Sequence, residues 1–191
     1  MNPHRTEWDE VVKTFRWTRE TFRRMATHGL FPGRVELVRG EVFEMTPVNW
    51  PHVVARSKTA DRLRDLFSGV GWVNEQSPMP ILESEPEPDV AVYPGQLSDY
   101  ADHPTNPLLL VEIADSSLFY DTTTKAELYA EAGVADYWVL DLSARELLVF
   151  RDPQPVEAGG WSYRGRRVVP EGGTVTPLAI AVAVAVCDLL P

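Results

Sequence analysis

The chain has 191 residues, 44% of them hydrophobic and six of them Trp, which is enough to bury a substantial core within one domain. Its single cysteine excludes a disulfide framework and a cysteine-based zinc site within one chain. Its 28 acidic and 18 basic residues give a formal net charge of -10, which opposes non-specific attraction to a polyanion, although arginines are bunched over residues 16–24 and 164–167.

No segment of the sequence is suited to crossing a membrane. The N-terminus is charged and polar and lacks the apolar stretch of a signal peptide. The longest apolar segment, residues 178–187, is shorter than the roughly 20 residues that span a bilayer. This segment contains Cys187, for which we expect an apolar setting. We therefore expect a cytoplasmic protein without membrane contact.

The first third of the chain predicts two helices around a hairpin. Thr18 is a suitable N-cap for a helix that ends near Ala26. Residues 35–45 have the pattern of a hairpin around Arg39-Gly40. A second helix is expected over residues 51–67, which supply apolar positions at helical spacing.

The rest of the chain predicts strands and one further helix. The strands are expected over residues 72–76, 79–82, 89–93, 108–114, 137–142 and 147–150. The run 108–114 is apolar enough for burial on both faces, so it should be central. A helix over residues 122–132 has Asp121 or Thr124 as its N-cap and Gly133 just past its end. A strand, helix and strand at this spacing predict a parallel pair, so the fold class is α/β or mixed α+β, built on one sheet.

Glu112 is the most informative residue, because it lies inside the apolar strand predicted over residues 108–114. A buried, unpaired carboxylate costs several kcal/mol, so it must be neutralised, paired or bound to a metal. A structural ion pair, or a strand end open to water, explains it equally well.

Asp89 opens a second apolar strand, 23 residues before Glu112. If the two strands are neighbours, both carboxylates can converge on one hard cation, whose preferred ligands are oxygens. The alternative for Asp89 is ordinary turn chemistry before a strand.

Lys125 lies in the first turn of the predicted third helix. It shares a helical stripe with Leu128, Tyr129 and Ala132 that should face the sheet. Beside two carboxylates, its ammonium group would orient an attacking water or hold a scissile phosphate. The alternative is a surface lysine whose stem covers apolar residues.

Several motifs of the chain resemble the Uma family, a group within the PD-(D/E)XK nuclease superfamily. The longest begins at Lys125 and runs Lys-Ala-Glu-Leu-Tyr-Ala-Glu-Ala-Gly-Val-Ala-Asp-Tyr-Trp-Val-Leu-Asp to Asp141. The others are Glu36-Leu37-Val38-Arg39-Gly40, His52 after a proline, Pro88-Asp89-Val90-Ala91-Val92, and Val111-Glu112-Ile113. The order and spacing of these motifs carry the resemblance.

The resemblance implies a restriction-endonuclease-like fold and a set of site residues. Mg²⁺, with Mn²⁺ as a substitute, would be bound by Asp89, Glu112 and the backbone carbonyl of Ile113. Glu36 would be an additional acidic position that takes a second metal ion or positions the first through a water, and the alternative is a glutamate at a strand edge. His52 would act as a general acid or contact a phosphate, since histidine exchanges protons near neutral pH. Metal-activated water would hydrolyse nucleic acid, with DNA favoured over RNA.

The resemblance also implies an organisation for the whole chain. We expect one nuclease-like domain over residues 1–191, with an N-terminal helix and hairpin (1–50), a nuclease core (51–151) and C-terminal strands (152–191). A homodimer is expected, because cutting two strands calls for two sites related by symmetry.

The chain departs from the family pattern at two places. Ala114 stands where the plain motif has a lysine, and the resemblance implies that Lys125 reaches the same point from the helix. Residues 115–120 replace a loop that is usually more basic, which reduces the positive charge available to a phosphate. Gln76 is a weaker candidate for the site, and Asp121 is interpreted first as a helix cap.

Two other functions remain open from the sequence. The acidic balance and the altered loop favour a catalytically inactive nuclease fold that serves as a binding or regulatory module. A metal-dependent hydrolase of a small phosphorylated compound would also tolerate the negative charge. A broad groove lined by the arginine clusters would favour nucleic acid, and a closed pocket would favour a small molecule.

Overall fold

The computed structural model describes residues 13–191, so the first 12 residues of the predicted domain lie outside the described residues. The N-terminal part contains a helix, a hairpin and a long second helix, as predicted. Their bounds are α1 Arg19–Thr27, β1 Val35–Val38, β2 Glu41–Glu44 and α2 Trp50–Leu66.

Local side-chain chemistry explains where the early elements begin and turn. The Thr18 hydroxyl accepts a hydrogen bond from the Thr21 amide and caps α1. In the hairpin, Arg39 and Gly40 both have positive φ angles, the backbone that a tight two-residue turn between antiparallel strands requires. Asn49 caps α2 by accepting a hydrogen bond from the His52 amide.

The remaining elements build the main sheet and a small C-terminal sheet. The strands are β3 Gly71–Glu75, β4 Val90–Pro94, β5 Leu109–Ala114, β6 Asp136–Asp141, β7 Glu146–Pro155, β8 Trp161–Pro170, β9 Thr174–Val175 and β10 Val184–Ala185. Between β5 and β6 lie α3 (Leu118–Tyr120), a π turn (Asp121–Lys125) and α4 (Ala126–Glu131). Short 3₁₀ turns span Leu97–Asp99 and Val186–Asp188.

Six strands form one mixed sheet in the order β3-β4-β5-β6-β7-β8. The β5–β6 pair is parallel, and the other neighbours in this sheet are antiparallel. The predicted crossover and the central place of β5 are therefore confirmed. The fold is mixed α+β with one sheet flanked by helices, as expected.

The two faces of the sheet bury two separate apolar clusters. On one face, Leu109, Val111 and Ile113 of β5 pack with α2 and the C-terminal residues. On the other, Leu110 and Ala114 pack with α4. Because side chains alternate along a strand, Glu112 faces the same side as this second pair, inside the layer between the sheet and α4.

The strand predicted over residues 79–82 is wrong. Only an isolated antiparallel bridge between Ile81 and Ser84 forms there. Pro78 and Pro80 flank Met79 and lack the amide hydrogen that a sheet ladder needs, so the segment stays a loop that crosses to the β1 strand through the Leu37–Glu85 bridge.

The third helix begins earlier than predicted. Two of its threonine hydroxyls donate hydrogen bonds to backbone carbonyls four residues earlier instead of capping the helix. The Thr122 hydroxyl donates to the Leu118 carbonyl and the Thr123 hydroxyl donates to the Phe119 carbonyl. The helical segment therefore starts at Leu118, and neither Asp121 nor Thr124 caps it. Gly133 ends the segment with φ at +77°, as predicted.

Near the C-terminus, the expected apolar setting of Cys187 is wrong, because this residue is exposed. Among residues 13–191, no helix is both long enough and apolar enough to cross a bilayer.

Candidate active site

Glu112 lies at the centre of a buried polar cluster and is 2% exposed. Its Oε1 accepts hydrogen bonds from Lys125 Nζ at 2.9 Å and from the Tyr129 hydroxyl at 2.8 Å. Its Oε2 accepts one from the Asp89 amide at 3.2 Å. All three neighbours donate hydrogen bonds to Glu112, so its two side-chain oxygens are the acceptors around which these groups are arranged.

Asp89 reaches the same cluster because β4 and β5 are neighbours in the sheet. Its Oδ2 accepts a hydrogen bond from the Ile113 amide at 2.9 Å and lies 3.1 Å from His52 Nε2. Gln76 Nε2 lies 3.4 Å from Oδ1. Burial would raise the pKa of Asp89, but the hydrogen bond and charge of His52, the Ile113 amide and Lys125 together lower it.

Lys125 is 2% exposed and lies between carboxylates. Its Nζ is 3.2 Å from Glu36 Oε1, besides its contact with Glu112, and 4.0 Å from Asp121 Oδ1. Burial would lower the pKa of the ammonium, but these carboxylates raise it well above its usual value. Lys125 is therefore a buried cation and not a surface lysine.

Glu36 enters the cluster from the hairpin, on β1. Its Oε1 accepts hydrogen bonds from Lys125 and from the Glu87 amide. Its Oε2 is buried and has no hydrogen-bond partner among the described residues. A buried carboxylate oxygen without a partner is costly, so this atom is suited to a ligand.

The cluster contains more negative charge than its cations balance. Four carboxylates, those of Glu36, Asp89, Glu112 and Asp121, surround one lysine and one histidine. Burial raises the pKa of Glu112 to about 8, even though Lys125 lowers it. Burial also raises the pKa of Asp121 to about 6, again against Lys125. A further cation would relieve this imbalance.

The donor set and the space at the site fit a hydrated Mg²⁺ ion. A cavity of about 80 Å³ is lined by Glu36, Asp89, Glu112, Ile113 and Lys125, and a water needs roughly 10–15 Å³. Within residues 13–191, no three His, Cys, Asp or Glu side chains are grouped closely enough to hold a metal alone. Mg²⁺ usually keeps several waters and takes only one or two carboxylates, so this finding is compatible with it.

The structure brings together the residues predicted for the site. Asp89, Glu112, Lys125, Glu36 and His52 all line the cavity, and Gln76 touches Asp89. The roles assigned to these residues, and the Ile113 carbonyl as a metal ligand, stay predictions. His52 is buried against Asp89, although a position near a helix start is often exposed.

Two further residues belong to the cluster and were missed or misassigned. Asp121 is not a cap: it is buried, accepts a hydrogen bond from the Ser117 hydroxyl and faces Lys125. Tyr129 was predicted to face the sheet, but the hydrogen bond of its hydroxyl to Glu112 was not anticipated. The signal was present in the sequence, since both residues are four positions from Lys125.

The arginine clusters do not line this cavity. Its cationic side chains are Lys125 and Arg34, and Arg34 is paired with Glu87 at 3.0 Å. Contact with a long polyanion would therefore have to come from other surfaces.

Comparisons with known proteins agree with this architecture. The family model described as "Uma2: Putative restriction endonuclease" matches residues 19–182. A crystal structure titled as a putative nuclease belonging to DUF820 from Anabaena variabilis ATCC 29413 is similar, with a TM-score of 0.67 and 14% sequence identity. The similarity covers 86% of this chain and 96% of the other, and at this identity it shows the fold alone. No curated protein matches the chain.

Proposed function

This chain belongs to the Uma2 family of restriction-endonuclease-like proteins, and on that basis we propose that it is a metal-dependent endonuclease. The proposed reaction is hydrolysis of phosphodiester bonds by an activated water, with Mg²⁺ as the cofactor and Mn²⁺ as a substitute. The substrate we propose is DNA.

The observation that carries the proposal is the buried contact of Lys125 with Glu112, next to Asp89. A structural ion pair would satisfy one carboxylate with one cation. Here the acidic groups outnumber the cations around a cavity that has room for water, an arrangement that costs stability and that serves metal binding and phosphate chemistry. This surplus of acidic groups supports an active site over a catalytically inactive nuclease fold.

Asp89 and Glu112 would hold the metal ion, with Glu36 reaching it through a water. When bound, the metal ion supplies a low-pKa water and electrostatic stabilisation of the phosphorane charge. Tyr129 and the Asp89 amide fix the orientation of Glu112, and the Ile113 amide fixes Asp89.

Lys125 stabilises negative charge and does not accept protons. Because its pKa is raised well above the usual value, it stays protonated at any working pH of the enzyme. Its ammonium group is therefore suited to contact a phosphate oxygen as charge develops there.

His52 is the residue we propose for proton transfer. Its Nε2 faces Asp89 and its Nδ1 has no hydrogen-bond partner among the described residues. The contact with Asp89 fixes the ring, and its place in the cavity lining suits it to give or take a proton at the phosphate or the leaving oxygen.

We also propose a homodimeric assembly and a cytoplasmic location. A duplex has two strands, and two identical sites related by symmetry would cut both. Analytical ultracentrifugation of the purified protein tests the dimer directly.

The test of the proposed function is a cleavage assay on supercoiled plasmid, single-stranded DNA and RNA, with Mg²⁺, Mn²⁺ or EDTA. Cutting should require the metal, and Glu112→Gln and Lys125→Ala should each lower the rate by roughly 100-fold or more. The matched controls are Glu83→Gln and Lys13→Ala, which change exposed residues outside the site. Both controls should cut at the wild-type rate.

The other outcomes separate the alternative functions. Absence of cutting, or cutting that survives both site variants, would favour a binding or regulatory module. Metal-dependent hydrolysis of bis(4-nitrophenyl) phosphate without cutting of any polymer would favour a small-molecule phosphoesterase.

A further inference from the structure

A second concave surface lies outside the catalytic cavity, between β8 and the α3–α4 segment. Its volume is about 390 Å³, within the roughly 300–1,000 Å³ range of ligand sites. We call it the β8 groove. Its lining includes the three threonines of the π turn together with Arg39, Glu127, Phe150, Trp161, Tyr163 and Arg166.

The β8 groove combines aromatic rings with cationic side chains. Trp161 is half-buried and lines the groove, whereas the Tyr163 ring packs against Tyr137 and Phe150. The Arg166 guanidinium lies over the Phe150 ring, 5.0 Å from its centroid. Aromatic rings that stack on bases, beside cations that follow the phosphates, are typical of surfaces for single-stranded nucleic acid.

Arg166 keeps its charge available in an otherwise acidic chain. Within the part of the chain that the structure describes, no carboxylate oxygen lies within 4.0 Å of its nitrogens. Arg39, by contrast, is paired with Glu127 and Glu131. The net charge of -10 repels a polyanion in general, and the groove offers one arginine without a carboxylate partner among the described residues next to the half-buried Trp161.

The strand register separates Arg166 from its neighbour Arg167. Arg166 is opposite Phe150 and Arg167 is opposite Val149, and opposite residues of an antiparallel pair share a face. Phe150 belongs to the cluster under α4, whereas Val149 belongs to the cluster on the other face. Both arginines are exposed, but only Arg166 lines the groove.

One short helical segment contacts both the β8 groove and the catalytic cavity. In the π turn, Asp121 and Lys125 line the cavity, and the three intervening threonines line the groove. A strand held in the groove would therefore lie against the same turn that positions the catalytic lysine.

We propose that the β8 groove binds single-stranded nucleic acid, with bases stacked on Trp161 and a phosphate held by Arg166. The inference rests on the proposed function in that the polyanion it recognises is the substrate of the enzyme. It adds that the contact surface is separate from the catalytic cavity and holds unpaired bases, as in a single-stranded stretch of the DNA substrate, because an aromatic ring stacks only on bases free of a partner.

Fluorescence anisotropy of a labelled thymidine oligonucleotide, with the full chain in EDTA, tests the groove without cleavage. Trp161→Ala should weaken binding roughly 5- to 150-fold, the range of one lost base stack, and Trp161→Phe should retain most of the affinity. Arg166→Gln should reduce the slope of log affinity against log salt by about 0.7, as expected for one phosphate contact. The matched control Arg167→Gln should leave both quantities unchanged.

Several results would overturn the proposal. They are absence of oligonucleotide binding, equal losses in Arg166→Gln and Arg167→Gln, equal affinity for duplex DNA, or equal affinity for a polyglutamate peptide. Circular dichroism of each variant excludes unfolding as the cause of a loss. Glu112→Gln should lose cutting and keep binding. Wild-type protein that binds the oligonucleotide but cuts no substrate would contradict only the proposed function, and cutting by a protein that does not bind the oligonucleotide would contradict only the groove.

Discussion

The stability of the metal-free protein should fall as the pH rises from about 5 to about 8. The pKa of Glu112 is about 8 in the fold, against 4.5 for an unperturbed glutamate. The folded protein therefore retains a proton in this interval that the unfolded chain has released, and the free energy of unfolding decreases with pH. Each pH unit of the interval is equivalent to about 1.4 kcal/mol, which sets an upper limit of about 5 kcal/mol.

Other members of the cluster do not reverse this slope. The pKa of Lys125 is raised, so its contribution to the free energy of unfolding is complete at any pH below the ordinary lysine pKa near 10.5. That contribution is therefore constant between pH 5 and pH 8. The pKa of Asp89 is lowered, so its contribution is lost only in more acidic solution. Asp121, with its pKa raised to about 6, adds a loss of the same sign at the acidic end.

Urea unfolding at a series of pH values in EDTA measures this slope, with Glu112→Gln as the comparison. The free energy of unfolding of the variant should lose most of its pH dependence. It should also be lower by roughly 1–3 kcal/mol at every pH, because the side-chain amide of the glutamine faces a hydrogen-bond donor. Mg²⁺ should stabilise the wild type more at pH 8 than at pH 5, since protons compete for the same carboxylate. A wild-type stability that is flat or rises between pH 5 and 8 would refute the reasoning.

Two further substitutions test the surrounding structure. Tyr129→Phe removes a buried hydrogen bond to Glu112 and should cost about 1.5–3 kcal/mol, together with a loss of cleavage rate, measured by urea unfolding and plasmid cutting. Asp136→Asn disturbs a fully buried carboxylate bonded to Trp138, Arg151 and the Leu178 amide, at a cost of about 3 kcal/mol. Its cleavage rate per folded molecule should be unchanged, and a large rate loss would show that Asp136 acts on the site.

The strands that carry the site could be predicted because their patterns have one physical explanation. Apart from Glu112 and Asp141, residues 108–114 and 137–142 are apolar, as a strand buried on both faces requires, and the helix between them makes the pair parallel. The place of Glu112 within the first run then followed from side-chain alternation. The approach of Asp89 followed from the pairing of its strand with that run.

The rest depended on interactions between distant residues. Threonine is a residue type that often caps helices, so the sequence predicted a cap at the π turn. In the fold, two of the threonine hydroxyls donate instead to the carbonyls of the preceding turn. Glu36 comes from a hairpin whose position over the sheet is not encoded locally. The β8 groove was visible only as a cluster of arginines, because the register against β7 decides which of them share a face with Phe150.

The π turn makes the position of Lys125 depend on the number of residues in the turn. A turn of this kind contains one residue more than an α-helical turn, and each residue of an α-helix rotates the chain by about 100°. Deleting one of the three threonines would remove about 100° of rotation, so α3 and Lys125 could not both keep their present directions. Among related chains, this stretch should therefore tolerate exchange of its threonines far better than any change in its length.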